Sequence, residues 1–305
     1  VQIAGALSLS LGDVEGLQIS AVDVALGSLR GLQIAAVDVA LEGVAGAQIA
    51  AVTISGRQLE GVQIAAVNIA GTSMAGLQIG AVNFAGTQAA GLQIAAVNAV
   101  GGPMVGTQIA AVNVTGGDVE GVQIGAVNVS GGRVRGFQLG VVNVAEDADA
   151  SIGLVNVYPR GRTQLRVGAD SGGLLSASLV HGARFTHSIV SVSTQPFQAR
   201  PAALLGLGFG VRIPFDESVH LDFDALAHVV LDQRVGNFGP STLAETRAVL
   251  GARLFDVLGL YAGIGYQVLV EPSHEAGGLG GPFALTAFSA TTRGWPVLHG
   301  GIQLF

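Results

Sequence analysis

Glutamine returns every 15 residues along the first half of this chain. Gln18, Gln33, Gln48, Gln63, Gln78, Gln93, Gln108, Gln123 and Gln138 each sit in a Gly-x-Gln-Ile segment or a close variant. A unit that short cannot bury a core alone, so successive copies must stack on one another, and the period constrains the architecture before any single residue is weighed.

One unit runs from Gly61 to Ala75, with its larger apolar residues at Val62, Ile64, Val67, Ile69 and Met74. The next unit places Leu77, Ile79, Val82, Phe84 and Ala89 at the same positions. These positions fit three pentads, with corners at small pairs such as Ala65-Ala66 and Ala70-Gly71. The expectation is a narrow three-sided β-solenoid with one coil per 15 residues and its apolar side chains pointing inward. The rival is an antiparallel meander with one long strand per unit. Its strand from Val62 to Ala70 would mix polar and apolar groups on both faces unless a β-bulge repaired the phase.

In the solenoid, amides recur in register. Gln63, Gln78, Gln93, Gln108 and Gln123 form one column, and Asn68, Asn83, Asn98, Asn113 and Asn128 another. In-register amides can hydrogen-bond along a stack. The columns are expected at the surface, either as an ordered binding face or, the favoured reading, only as ties between coils. Charge falls mainly in the third pentad, at residues such as Glu15, Arg30, Glu42, Arg57, Glu120 and Arg135, which suits a solvated edge.

Only 11% of the 305 residues are charged, against roughly a quarter in a typical soluble domain. Lysine is absent, all 14 basic residues are arginine, and the net charge is -7. That balance excludes the basic stripe expected of a nucleic-acid partner. Cysteine is also absent, which removes disulfides and thiolate chemistry. No 18-residue apolar run is free of Gln, Asn, Gly or charge, so helical membrane spans are not expected.

The repeats fade at Glu146-Asp147-Ala148-Asp149 and end by Pro159-Arg160-Gly161-Arg162, which divides the chain into residues 1–160 and 163–305. The second part carries longer alternating segments. Val219, Leu221, Phe223, Ala225, Ala227 and Val229 share one face, opposite His220, Asp222, Asp224 and His228. Leu205, Leu207, Phe209, Val211 and Ile213 oppose glycines and Arg212. Glu245, Arg247 and Arg253 share a face of a third segment, and Leu258 to Val270 supplies a fourth. Breaks are expected at Pro214–Glu217, Asn237–Pro240 and Glu271–His274. With weaker runs near Leu165, Leu174, Ser188, Leu285 and Val297, the count is roughly eight or nine strands, which suits an antiparallel closed β-barrel. Arg212, His220, Asp222, Asp224, His228, Glu245, Arg247 and Arg253 are then candidate interior polar residues of a membrane barrel. A soluble barrel would alternate too, with the apolar face inside. The final strand, with His299 and Gln303 on one face, looks poorly suited to lipid.

The unit Gly121-Val122-Gln123-Ile124-Gly125-Ala126-Val127-Asn128-Val129 resembles the repeats of bacterial surface-repeat proteins. The segments Leu205 to Pro214 and Leu258 to Val270, with the terminal Phe305, are similar to the barrel portion of outer-membrane proteins. The resemblance implies an outer-membrane or cell-surface location, with a lipid bilayer as partner and a surface ligand or envelope protein as a further one. It supplies no catalytic residues, and oligomeric state is left open.

Nothing in the sequence points to an enzyme. No serine sits in a nucleophile elbow, and a phosphate loop of the Walker type cannot exist without lysine. The glycine run 277–281 reads as loop. His181, His187, His274 and His299 have no evident partner. His220, Asp222, Asp224 and His228 are ligand-type residues, but His220 and Asp222 lie about 7 Å apart along a strand. A polar lumen wall is the better reading than zinc, and no metal or cofactor is expected. The function that follows is an all-β structural or binding protein. The alternatives are a pore in which the repeats supply barrel strands, and a secreted adhesin or ice-binding solenoid.

Overall fold

The computed structural model describes residues 1–197, 203–231, 241–271, 279, 282–283 and 285–305. The expected breaks at 237–240 and 272–274, His274, and glycines 277, 278, 280 and 281 lie outside the described residues. The chain divides into two compact units, Val1–Arg160 and Gly161–Phe305.

The first unit is a parallel β-solenoid of two 11-stranded sheets. Each coil gives one long strand, such as Ser73–Ile79, and one short strand, such as Val82–Ala85. Pairing steps by one repeat, with Gln78 opposite Gln93 and Asn83 opposite Asn98. The expected third side is absent because the third pentad runs straight into the first pentad of the next coil. Gly76 joins them at φ 136°, and a Cβ there would lie 2.0 Å from the Gly61 carbonyl oxygen. Only glycine tolerates both the dihedral and the contact. The meander, and with it the pore alternative in which repeats supply antiparallel wall strands, is ruled out by this parallel pairing.

The coil points most of its side chains the opposite way from the expectation; of the five apolar positions only the last, held by Met74 and Ala89, is buried as expected. The interior receives Leu59, Gln63, Asn68 and Ala70, then Met74, Gln78, Asn83 and Ala85, all buried. Val62, Ile64, Val67 and Ile69 face outward, as do their counterparts in other coils. The amide columns are therefore internal and fully shielded. Burying an amide is costly only if its hydrogen bonds are lost, and here every coil supplies the next with a partner in register.

The second unit is a closed antiparallel barrel. We number its strands β1 (Arg162–Asp170), β2 (Leu175–Gly182), β3 (Thr186–Thr194), β4 (Ala203–Pro214), β5 (Val219–Leu231), β6 (Thr242–Arg253), β7 (Leu258–Val270), β8 (Thr286–Ser289) and β9 (Thr292–Leu304). Sequential neighbours pair from β1 to β7, β9 pairs with β7, and β9 closes onto β1 through Leu165↔Leu304 to Asp170↔His299. Eight strands make the wall, and short β8 pairs with β9 at one rim. At the opposite rim the connections are tight. In the β4–β5 turn the Asp216 carboxylate accepts hydrogen bonds from the Ser218 and Val219 amides.

Candidate functional site

Each unit holds one internal polar assembly. In the solenoid, Gln33 Nε2 donates to Gln18 Oε1 at 2.8 Å, and each later glutamine repeats this toward the coil before it, as far as Gln138 to Gln123 at 2.8 Å. The asparagine column runs the other way. Asn68 Nδ2 donates to Asn83 Oδ1 at 2.8 Å, and the chain continues forward to Asn143 and Asn156. Thr53 starts the asparagine column by donating to Asn68 Oδ1 at 2.7 Å. Tyr158 ends the glutamine column by donating to Gln138 Oε1 at 3.0 Å. Burial pushes the Tyr158 hydroxyl up to about 12, so it stays a donor. Asp38 stands where later coils have asparagine. Its burial, and then the neighbouring Asp23, push its carboxyl up to about 7, opposed by a hydrogen bond from the Ile49 amide.

In the barrel the alternation separates chemistry across the wall. Leu205, Leu207, Phe209, Val211 and Ile213 of β4 and Phe223 and Val229 of β5 are exposed on the outside. Arg212, His220, Asp222, Asp224, His228, Glu245 and Arg247 all lie buried inside. Arg253 does not. It is exposed at the tight-turn rim, where its guanidinium stacks 4.0 Å from the centroid of the Phe305 ring. The wall thus runs apolar outside and ionic inside, opposite to a soluble barrel. His299 and Gln303 of β9, expected to spoil its lipid face, point inward, while Leu298, Ile302 and Leu304 face out.

The interior charges form one balanced cluster. Arg212 grips Asp222 at 2.6 and 2.7 Å, and Arg166 reaches across from β1 to the same carboxylate and to Asp224. Asp224 also accepts from Arg247 at 3.0 Å and pairs with His187 at 2.8 Å. Glu245 lies 3.7 Å from Arg247 and 3.1 Å from His299. Three guanidiniums meet three carboxylates, which answers the desolvation penalty that any one of them would face alone. His187 and His299 therefore do have partners, contrary to the expectation from sequence, and His181 contacts the Thr163 hydroxyl at 2.8 Å.

Among the described residues, His187, Asp222 and Asp224 bring ligand-type atoms within 4.8 Å of one another. Both carboxylates are already engaged by arginines, so the grouping is not an open cation site. His220 and His228 do not join it: His228 instead contacts Ser191 at 3.1 Å. Above the cluster, Trp295 packs with Leu174, Leu204, Val230, Leu243, Leu269 and Val297 inside the barrel, and its indole donates to Gln267. Between the two, a cavity of about 10 Å³ bordered by Ser191, His228, Glu245 and His299 has room for roughly one water. A wider recess of about 400 Å³ at the tight-turn rim is lined by Arg162, Arg184, Arg212, His220, Arg253 and Phe305, among others.

Sequence reasoning missed Arg166, His187 and Trp295 as interior groups. The signal was present for Arg166, since Gln164 and Arg166 alternate with Leu165 and Val167. It was weak because β1 is short. No protein-family model matches the chain, and no curated protein aligns with it.

Proposed function

We propose that this is a non-catalytic structural protein of a bacterial outer membrane, in which the barrel is a sealed bilayer anchor and the solenoid a rigid scaffold. The observation that carries this is the inside-out wall: exposed Leu205, Leu207, Phe209, Phe223 and Ile264 outside, and the Arg166–Asp222–Asp224–Arg247 cluster within. Water gains nothing from such a wall, whereas hydrocarbon demands it. Closure of β9 on β1 leaves no open edge among the wall strands, as a bilayer also requires. Phe185, Phe215, Phe255 and Phe305 gather at the tight-turn rim, where membrane barrels carry aromatic girdles.

Passive transport is the weaker reading. An eight-stranded barrel is just wide enough for its own side chains to fill, and here the ionic cluster and the Trp295 cluster fill it in succession.

The chain has no cysteine, so single-cysteine labels report cleanly. Leu207→Cys and Phe223→Cys, each carrying a bimane fluorophore, are to be reconstituted as full-length protein in liposomes with brominated acyl chains. Strong quenching is expected, together with no conductance steps in planar bilayers. Unquenched labels, with the unlabelled cysteines at the same positions reacting with a water-soluble maleimide, sink the anchor reading, and stable conductance steps sink the sealed interior.

A further inference from the structure

The solenoid wears most of its larger apolar side chains on the outside, and its charges are not spread evenly along the stack. From Gly61 to Gly117 there is no Asp, Glu, Arg, Lys or His. That interval covers about four coils, or about 19 Å at ~4.8 Å per parallel strand. It is bracketed by Arg57 and Glu60 on one side and by Asp118 and Glu120 on the other.

The belt extends around the whole coil. On one sheet, Val62/Ile64, Leu77/Ile79 and Leu92/Ile94 point outward; on the other, Val67/Ile69, Val82/Phe84 and Val112/Val114 do so. The remaining edge is charged in early and late coils, where Arg57 meets Glu42 and where Asp13, Asp118 and Arg133 stand, and the long strand beside it carries the pairs Arg30–Glu15 and Arg135–Glu120 where the belt has Ala75, Ala90 and Val105. Across the belt that edge becomes Gly71-Thr72-Ser73, Gly86-Thr87-Gln88, Gly101-Gly102-Pro103 and Gly116-Gly117. A protein partner seated on the sheets would leave this edge in water, with no reason to lose its charge. An environment that excludes charge from every side gives the observed pattern.

The backbone meets the same demand. Within the belt the corners as well as the strands bond coil to coil: Ala65 N to Ile79 O at 3.0 Å, Ala81 N to Ala66 O at 2.9 Å, Gly86 N to Ala70 O at 2.9 Å and Thr87 N to Thr72 O at 2.6 Å. Thr87 Oγ1 also returns its hydroxyl to the Thr72 carbonyl. The buried amides satisfy one another. Open ladder edges occur only at the two ends of the stack, where the charge is. Satisfaction of backbone groups is the condition that limits membrane-spanning structures to helices and closed barrels, and a stacked coil fulfils it by another route.

We infer that the central coils, Gly61 to Gly117, sit in the hydrocarbon of a lipid bilayer with the charged end coils at its two faces. The belt is a few ångströms shorter than the ~25 Å apolar band of outer-membrane barrels, a gap that Arg57, Glu60 and Glu120 span by reaching outward. The inference does not depend on the barrel being an anchor.

The test uses the full chain in liposomes containing brominated phosphatidylcholine, with bimane at Ile64→Cys, Phe84→Cys or Ile109→Cys in the belt, at Leu9→Cys or Leu154→Cys near the ends, and at Leu207→Cys on the barrel. Belt labels are expected to lose more than half their fluorescence, and the unlabelled belt cysteines to react with an impermeant maleimide at least tenfold more slowly than Leu9→Cys. Belt positions that react as fast as Leu9→Cys overturn the inference, and if Leu207→Cys stays protected the anchor reading survives that failure. Quenching in the belt with an open Leu207→Cys upholds the inference and removes the anchor. Belt protection that appears in detergent, rises with protein concentration and brings no bromine quenching also overturns it, in favour of a second copy of the chain.

Discussion

Replacing Gln93 with leucine tests the inverted orientation of the coil directly. Gln93 Nε2 donates to Gln78 Oε1 at 2.7 Å, and its own Oε1 accepts from Gln108 Nε2 at 2.9 Å, with all three side chains fully buried. Leucine fills a similar volume but leaves both neighbours without their partner. Two unsatisfied buried amide groups cost about 1–3 kcal/mol each, and the added apolar burial returns roughly 1 kcal/mol. The net loss is about 3 kcal/mol. Stability in a stacked array is local to a repeat and its neighbours, so the readout is amide hydrogen exchange across the flanking strands of the full-length protein in detergent. Protection there should fall by about a hundredfold. Leu92, one residue away, points outward and is half-buried, so Leu92→Ala should fall well short of the ~2–5 kcal/mol of a core leucine. If Gln93→Leu leaves exchange unchanged while Leu92→Ala loosens the stack, the apolar residues face inward and the inverted coil is refuted.

Asp224→Ala strips a carboxylate from Arg166, Arg247 and His187 inside the barrel, and loss of one member of a buried pair costs about 3–5 kcal/mol; the urea midpoint in detergent should drop sharply, with the heat-dependent gel shift lost at a lower temperature. Asp38 holds its proton up to about pH 7 in the folded solenoid, whereas the unfolded chain releases it near 3.8. Stability of the early coils should therefore be greatest below about pH 4, decline as pH rises through that window, and level off above about 7. Exchange in the early coils, corrected for the intrinsic rate, should report this, and Asp38→Asn should flatten the dependence. Gly91→Ala would place a Cβ 2.0 Å from the Gly76 carbonyl oxygen at φ 128°, so circular dichroism should show lost strand content, where Ala90→Ser on the exposed edge should show none.

The sequence carries more about period than about polarity. The 15-residue spacing of Gln63, Gln78 and Gln93 was enough to expect stacked coils, and the alternation around Phe223 enough to expect a barrel wall. Alternation places Val62 and Ile64 on the face opposite Gln63 but does not say which face is inside. The usual preference for buried apolar groups chose the wrong one, because a ladder in register satisfies its own amides. The same ambiguity attended the barrel until the wall was seen to hold Asp222 and Asp224 inside and Phe223 outside. The third side of the coil was lost for a local reason: Gly76 lets two pentads run as one strand. The links from Arg166 to Asp222 and from His187 to Asp224 join residues far apart in the chain, and no spacing rule announces them.

The two amide columns of the solenoid point in opposite senses, glutamine toward earlier coils and asparagine toward later ones. Each column alone would line up its dipoles, and partial charge would build at the ends as the stack grew. Side by side and opposed, they cancel from Asn68 onward, where both columns run. A coil of that span can therefore be duplicated or deleted without altering the field that the end coils must tolerate, so the array can change length while its cross-section stays fixed.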